Sequence, residues 1–209
     1  MNSAWWSQWS PVFRDRFIDH LGWVAVATTL GSAVGLLLGL SARGWRWSTR
    51  LVRFLGGVMI AVPPVVLLPS GIVTAPRFNS PWYGVAMAAT VAGFVVRRTT
   101  DGLASIEPAI GETAIALGMS RLQRAWTIGV PLARRDILTG VRWGALSAAG
   151  MVALLPSHVA GFGVFIQGGG EDVSDSGLVW AGLVGTAVVA LLVDVTLLVS
   201  SRFIRRRWI

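Results

Sequence analysis

The sequence predicts an all-α, polytopic membrane protein of about five transmembrane helices, and three observations predict it. Of 209 residues, 54% are hydrophobic and only 13% are charged, too apolar for an ordinary soluble domain. Five runs are long and apolar enough to cross a bilayer, at about 20 residues per span. The basic residues are all arginine, and 15 of the 18 lie on one side of those runs. A single membrane domain over residues 1–209 is the natural organisation, with no composition break, low-complexity tract or internal repeat.

The first segment, residues 1–20, carries Trp5, Trp6 and Trp9 and an apolar face of Phe13 and Phe17. That pattern suits a helix lying at the bilayer surface, and equally a partly ordered tail. The first apolar run is longer than a signal-peptide core and its flank is not basic, so we expect a retained span. The five spans run approximately Leu21–Leu40, Leu51–Val73, Trp82–Val96, Ile137–Leu155 and Leu178–Ser201. Trp45, Trp47, Trp82 and Tyr83 fall at the expected interfaces, where amphipathic rings anchor a span.

Arginine placement sets the expected sidedness. Arg43, Arg46, Arg50 and Arg53 follow the first span. Arg97, Arg98, Arg121, Arg124, Arg134, Arg135 and Arg142 lie in or beside the third connection, and Arg202, Arg205, Arg206 and Arg207 end the chain. The opposite side holds Arg14, Arg16, Arg77 and the acidic Glu171, Asp172 and Asp175. Positive-inside bias then puts the N-terminus outside and the C-terminus in the cytoplasm. The same placement explains the net charge of +8 without a nucleic-acid partner.

The third connection, residues 97–136, carries its own helix punctuation. Pro108 suits a first helical turn, and Ile110, Ala114 and Leu117 follow at helical spacing. Gly118 stands where a helix end needs left-handed geometry. Ser120 and Gln123 form a capping-box pair that starts a second short helix with Leu122, Ala125, Trp126 and Gly129 on its apolar face. Pro131 ends that helix or opens the next. Two short helices meeting at a glycine make a stiff knob able to fill a partner's groove. The competing reading is an amphipathic connector resting on the bilayer.

Within this connection the spacing Glu112, Ala114, Gly118, then Ile128-Gly129-Val130-Pro131 resembles the cytoplasmic EAA loop of ATP-binding-cassette importer permeases, a type I importer permease fold. The resemblance extends further. Ala61-Val62-Pro63-Pro64 through Leu67-Leu68-Pro69 is similar to the second span of permeases for osmoprotectants such as glycine betaine, choline and carnitine. Arg97 to Leu103, Glu107-Pro108-Ala109, Ala116 to Ser120 and Leu191-Leu192-Val193-Asp194 resemble further segments of that family. The family's glycine-rich segment after the fourth span is replaced here by His158-Val159-Ala160-Gly161-Phe162-Gly163.

The resemblance implies a transport subunit of a bacterial cytoplasmic membrane, not an enzyme. Its partners would be separate ATPase subunits that bind ATP and magnesium, a second permease subunit, an extracytoplasmic substrate-binding protein and the lipid bilayer. This chain would hold no cofactor. The coupling loop would use Glu112, Ala114, Gly118, Met119, Ser120, Leu122, Ile128 and Pro131.

For the pathway, Pro63, Pro64 and Pro69 remove backbone donors in the second span and should kink it. The freed carbonyls need neighbouring helices or a water-filled cavity. Phe54, Phe94, Phe162 and Phe165 offer aromatic faces for a quaternary ammonium solute or simply fill the core. Asp194 is the one acid well inside a predicted span, which makes it a functional candidate. Arg202, two turns on, is its expected partner. His20 and His158 sit near outer boundaries, where hydrogen bonding is their expected role. Absent cysteine excludes disulfides and thiolate metal sites. No zinc-protease, nucleophile-elbow or paired-acid pattern supports a catalytic or metal site. An ion-coupled secondary transporter is the competing transport class, with Asp194 its sole candidate ion site.

Overall fold

The computed structural model describes residues 3–41, 46–67, 80–155, 161–168 and 176–206. Among the described residues there are eight α-helices and one π-helical segment, with no strand. They are α1 (Ser3–Ser41), α2 (Arg46–Leu67), α3 (Ser80–Ala104), α4 (Pro108–Ala116), α5 (Arg121–Arg124), α6 (Val130–Val152), α7 (Gly163–Gly168) and α8 (Ser176–Arg206), with the π segment (Ala125–Gly129) joining α5 to α6. Every expected apolar run falls in a helix where described, in α1, α2, α3, α6 and α8 respectively. On length and hydropathy alone, two described segments qualify as spans, Trp9–Ser41 and Gly177–Arg202. The helices between them carry arginines inside their windows, such as Arg53 in α2, Arg97 and Arg98 in α3, and Arg134, Arg135 and Arg142 in α6.

Helix α3 stands at the centre and packs against α1, α2 and α6. Glycine permits each approach. On α1, Gly31, Gly35 and Gly39 recur every fourth residue, so they share one face. A Cβ on Gly31 would lie 2.4 Å from the Ala88 carbonyl oxygen, and one on Gly35 would lie 2.7 Å from that of Ala92. At Gly39 it would meet the Thr99 side chain at 2.7 Å. Gly93 of α3 faces Gly56 of α2, where a Cβ would come within 2.6 Å of the Gly56 carbonyl oxygen. Gly140 and Gly144 of α6 do the same against Arg98 and Val91, at 2.9 Å each. Between helices in an apolar phase there is little hydrophobic gain, so close backbone approach and dispersion supply the attraction. The core that results is built from small and β-branched residues, including Ala27, Val91, Val95, Ala148, Ala149 and Val152, with Met87 and Leu155 filling gaps.

A second, aromatic cluster joins the first half of α1 to α7. Phe162 and Phe165 are buried, and Phe13 lies 4.9 Å from the Phe162 ring centre, with Phe17 at 6.3 Å. Residues 3–20 are therefore the start of one long helix, not a tail, and the face read for the bilayer surface is covered by protein. Gly182 and Gly185 of α8 receive Phe165 and Phe162 closely. Phe162 and Phe165 thus take the packing role rather than presenting open faces. Tyr83 is buried in the central core instead of anchoring an interface, while Trp82 is exposed.

Three polar ties cross this bundle. His20 is fully buried; its Nε2 donates to the Ala149 carbonyl at 3.0 Å, and its Nδ1 accepts from the Phe162 N–H at 3.4 Å. The carbonyl can only accept, so Nε2 carries the proton. Asp194 of α8 is held by two of the guanidinium nitrogens of Arg142 on α6, Nη2 to Oδ2 at 2.8 Å and Nε to Oδ1. The expected partner Arg202 is wrong: Arg142 comes from another helix, 52 positions earlier. Arg53 of α2 pairs with Asp101 near the end of α3, and its Nε donates to Thr100 Oγ1 at 3.4 Å.

Gly35→Ala should lower stability by about 1–3 kcal/mol, because the added methyl meets backbone that cannot move aside. Gly22→Ala, with nothing within 4 Å, should leave it unchanged. Thermal melts in detergent compare the two. Asp194→Asn should lower the melting temperature by leaving Arg142 without its carboxylate, and adding Arg142→Gln should recover part of that loss. A single variant that melts like the parent would remove the pair from the list of ties.

Candidate coupling elbow

After α3 the chain turns at Ser105–Glu107 and enters α4 with Pro108 in its first turn, where a missing N–H costs nothing. Helix α4 ends in a complete Schellman motif. The Met119 N–H donates to the Ala114 carbonyl at 3.1 Å and the Gly118 N–H to that of Ile115 at 2.9 Å. Gly118 sits at φ +73°, a conformation strained for any residue with a side chain. No atom lies within 4 Å of where its Cβ would be, so backbone geometry alone selects glycine there.

Only Met119 separates this turn from the next cap. Ser120 Oγ accepts from the Gln123 N–H at 3.2 Å, and Gln123 Oε1 accepts from the Ser120 N–H at 2.8 Å. Both expected devices are present, the left-handed glycine and the capping box. The hydrogen bonds at the joint leave little freedom to bend, so the elbow is stiff.

Of the two expectations for Pro131, the second holds: it opens the next helix. The π segment joins α5 to α6 without a break, so residues 121–152 are one continuous helical rod. The Val130 N–H donates to the Ala125 carbonyl, the wider π spacing. Pro131 follows in the first turn of α6. A proline inside a regular helix clashes with the carbonyl four residues back, and a π-bulge is a usual way to absorb that strain.

The rod is coupled to α3 at its base. A Cβ on Gly102 would lie 2.9 Å from Asp136 Cβ and 3.0 Å from Ala133 Cβ. The last turn of α3, which enters the elbow, and the start of α6, which leaves it, are thus packed side by side.

The outer surface is apolar in patches. Leu117 is 76% exposed and Leu122 69%, with Ile110, Ile115 and Trp126 also exposed. Ala114, Ala125 and Gly129 face inward and are buried. The apolar residues read at helical spacing therefore split, Ala114, Ala125 and Gly129 inward and Ile110, Leu117, Leu122 and Trp126 outward, instead of sharing one face. Glu112 is exposed on α4, Met119, Ile128 and Pro131 are half-buried, and Ser120 is the cap. Beneath the elbow, a cavity of about 610 Å3 separates Leu122 and Trp126 from Leu37 and Leu40 at the end of α1.

The pathway candidates are not brought together among the described residues. Phe94 is half-buried on α3. The side chains of Pro63 and Pro64 lie outside the described residues, as do Pro69 and His158 altogether. Sequence reasoning overlooked Gly102 as the clamp and Leu117 and Ile115 as outward residues. The four-residue glycine spacing of α1 was the readable signal for its packing face, and it too went unused.

Comparison with known proteins agrees with this geometry. Residues 31–207 match the family model described as "Binding-protein-dependent transport system inner membrane component". The osmoprotectant import permease protein OsmW of Salmonella typhimurium is 25% identical over 183 residues, 84% of each chain. The taurine transport system permease protein TauC of Escherichia coli is 28% identical over 186 residues, 82% of this chain and 61% of that protein. The glycine betaine/carnitine/choline permease protein OpuCD of Bacillus subtilis and the carnitine permease protein OpuCD of Listeria monocytogenes are matched over only 45% and 47% of their length, whereas the choline permease protein OpuBD of Bacillus subtilis, 25% identical, is matched over 84%. Among solved structures, the MetNI methionine transporter in an inward-facing conformation aligns with a TM-score of 0.77 at 16% identity, covering 97% of this chain and 98% of that one; at that identity the likeness is one of fold. A family match over nearly the whole chain, on an all-helical bundle of the same fold, means that this protein belongs to the inner membrane components of binding-protein-dependent transport systems.

Proposed function

We propose that this chain is the permease subunit of an ATP-driven importer for osmoprotectants of the glycine betaine, choline and carnitine class. In this reading the α4–α5 elbow is the socket for a separate ATPase subunit. The observation that supports it is the elbow itself, a stiff joint with large apolar side chains pointing outward and a base clamped to α3 and α6. An elbow built only to rest on lipid would not need two interlocking caps. When the ATPases close on ATP, the elbows move together and the bundle changes the side to which its pathway opens.

The remaining parts follow from this reading. Five spans place the N-terminus outside and the elbow and C-terminus in the cytoplasm of a bacterial cell, in line with the arginine bias. Two permease subunits, alike or related, enclose the pathway, lined in part by Phe94 and the Pro63, Pro64 and Pro69 segment. An extracytoplasmic receptor delivers the solute, and ATP with magnesium binds the ATPase and not this chain. The taurine permease likeness supports a second reading of the same machine with another small solute, such as an amino acid, as cargo. An ion-coupled carrier is disfavoured, because Asp194 is already engaged on both oxygens by Arg142.

Gly118→Val should insert normally yet lose ATP-driven uptake, since forcing a β-branched residue into left-handed geometry costs about 1–2 kcal/mol and misaligns α5. Reconstituted transporter with radiolabelled glycine betaine reads this, and full uptake by the variant would sink the socket. Glu112→Lys should weaken co-purification of the ATPase several-fold without altering the permease's own melt. Unchanged association would take Glu112 out of the contact.

A further inference from the structure

Between α6 and α8, at the end of the bundle that carries the elbow, lies a second cavity of about 540 Å3. Four arginines line it, Arg134, Arg135 and Arg142 from α6 and Arg202 from α8. On α6 these positions recur at helical spacing, so the cluster occupies one face. Of these four, only Arg142 is paired with a carboxylate among the described residues, that of Asp194. Asp136, the acid nearest in sequence, packs against Gly102 of α3 instead. Three guanidinium charges therefore face one concave space with no described anion to meet them.

The rest of the wall is apolar, formed by Leu138, Val141, Leu197 and Leu198. Val195 and Val199 of α8 are exposed beside it. A ligand suited to this space carries negative charge at one end and hydrocarbon at the other. Guanidinium groups are matched to phosphate by their planar fork of donors. A freely diffusing anion would leave the apolar wall unused.

We propose that this cavity binds the phosphate headgroup of an anionic phospholipid such as phosphatidylglycerol, with Arg134, Arg135 and Arg202 at the phosphate and the acyl chains along Leu138 and Leu197. Basic pockets between spans are known to hold lipid headgroups in this manner. Occupation would brace α8 against α6 on the side opposite α3, complementing the Arg142–Asp194 tie. The proposal rests on the chain's membrane location and not on the elbow or the solute.

The test uses the purified full chain in nonionic detergent, without ATPase or solute, so its outcome is separate from that of the transport reading. Native mass spectrometry measures binding of phosphatidylglycerol, phosphatidylcholine and inorganic phosphate. The parent should bind phosphatidylglycerol in clear preference to the other two. The triple variant Arg134→Gln, Arg135→Gln, Arg202→Gln should bind it on the order of a hundredfold more weakly, at about fivefold per basic residue. The corresponding triple lysine variant should keep most of the affinity, and Arg14→Gln with Arg16→Gln should change nothing. Ser201→Glu, which leaves every arginine in place and adds a negative charge to the cavity, should also weaken binding. Parent-like affinity in the glutamine triple and in Ser201→Glu would overturn the site. Equal binding of phosphatidylcholine would overturn the role of headgroup charge, and equally tight inorganic phosphate would make it a free-anion site and not a lipid site.

Discussion

Close approach of backbones around α3 is the constraint on which this structure depends. Helices α1, α2 and α6 each reach it through glycine, and at Gly31, Gly35, Gly56, Gly93, Gly140 and Gly144 there is no room for a methyl group without movement. The consequence is mechanical. Helices held by backbone proximity move as rigid bodies, because packed interfaces have discrete arrangements and do not deform continuously. The clamp of Gly102 on Ala133 and Asp136 extends that rigidity to the elbow's two roots.

Polar residues have a different role here. Dispersion between apolar helices is not directional, so it leaves rotation and register weakly specified. His20, Asp194 with Arg142, and Arg53 with Asp101 supply fixed points, one between α1 and the α6–α7 region, one between α6 and α8, and one between α2 and α3. In an apolar phase the unpaired alternatives are expensive. The ties therefore select one arrangement even where they add little net stability. Helix α8 depends most on such a tie. Much of its surface is exposed, as at Trp180, Leu183, Val184, Leu191 and Leu192, which suits contact with lipid or another subunit.

Much of the elbow was legible residue by residue. Pro108, Gly118, Ser120 and Gln123 act on backbone groups within a few positions of themselves, so their spacing carries their function. The same locality made the five helical runs readable. What failed were statements about which residue meets which across the bundle. Asp194 was matched to Arg202 by proximity along one helix, whereas Arg142 reaches it from across the bundle. Ala125 and Gly129 were grouped with Leu122 and Trp126 by periodicity, yet they split by size because only small residues fit against α6's neighbours. Pro131 was expected to end the second elbow helix or open the next; it opens α6, and what was not foreseen is the π segment that joins the two into one rod.

The sequence by itself determined the all-helical class, the helical runs and the two caps of the elbow. Each depends on local hydrophobic length, arginine interruption or hydrogen bonding over three to five residues. Tertiary structure alone decided that α3 is central, that Trp9, Phe13 and Phe17 of α1 pack against the Phe162–Phe165 cluster, and that Asp194 answers to Arg142. It also decided that four arginines of α6 and α8 converge on one cavity. Those outcomes are set by which helix faces meet, and a helix face has no partner until the chain has packed.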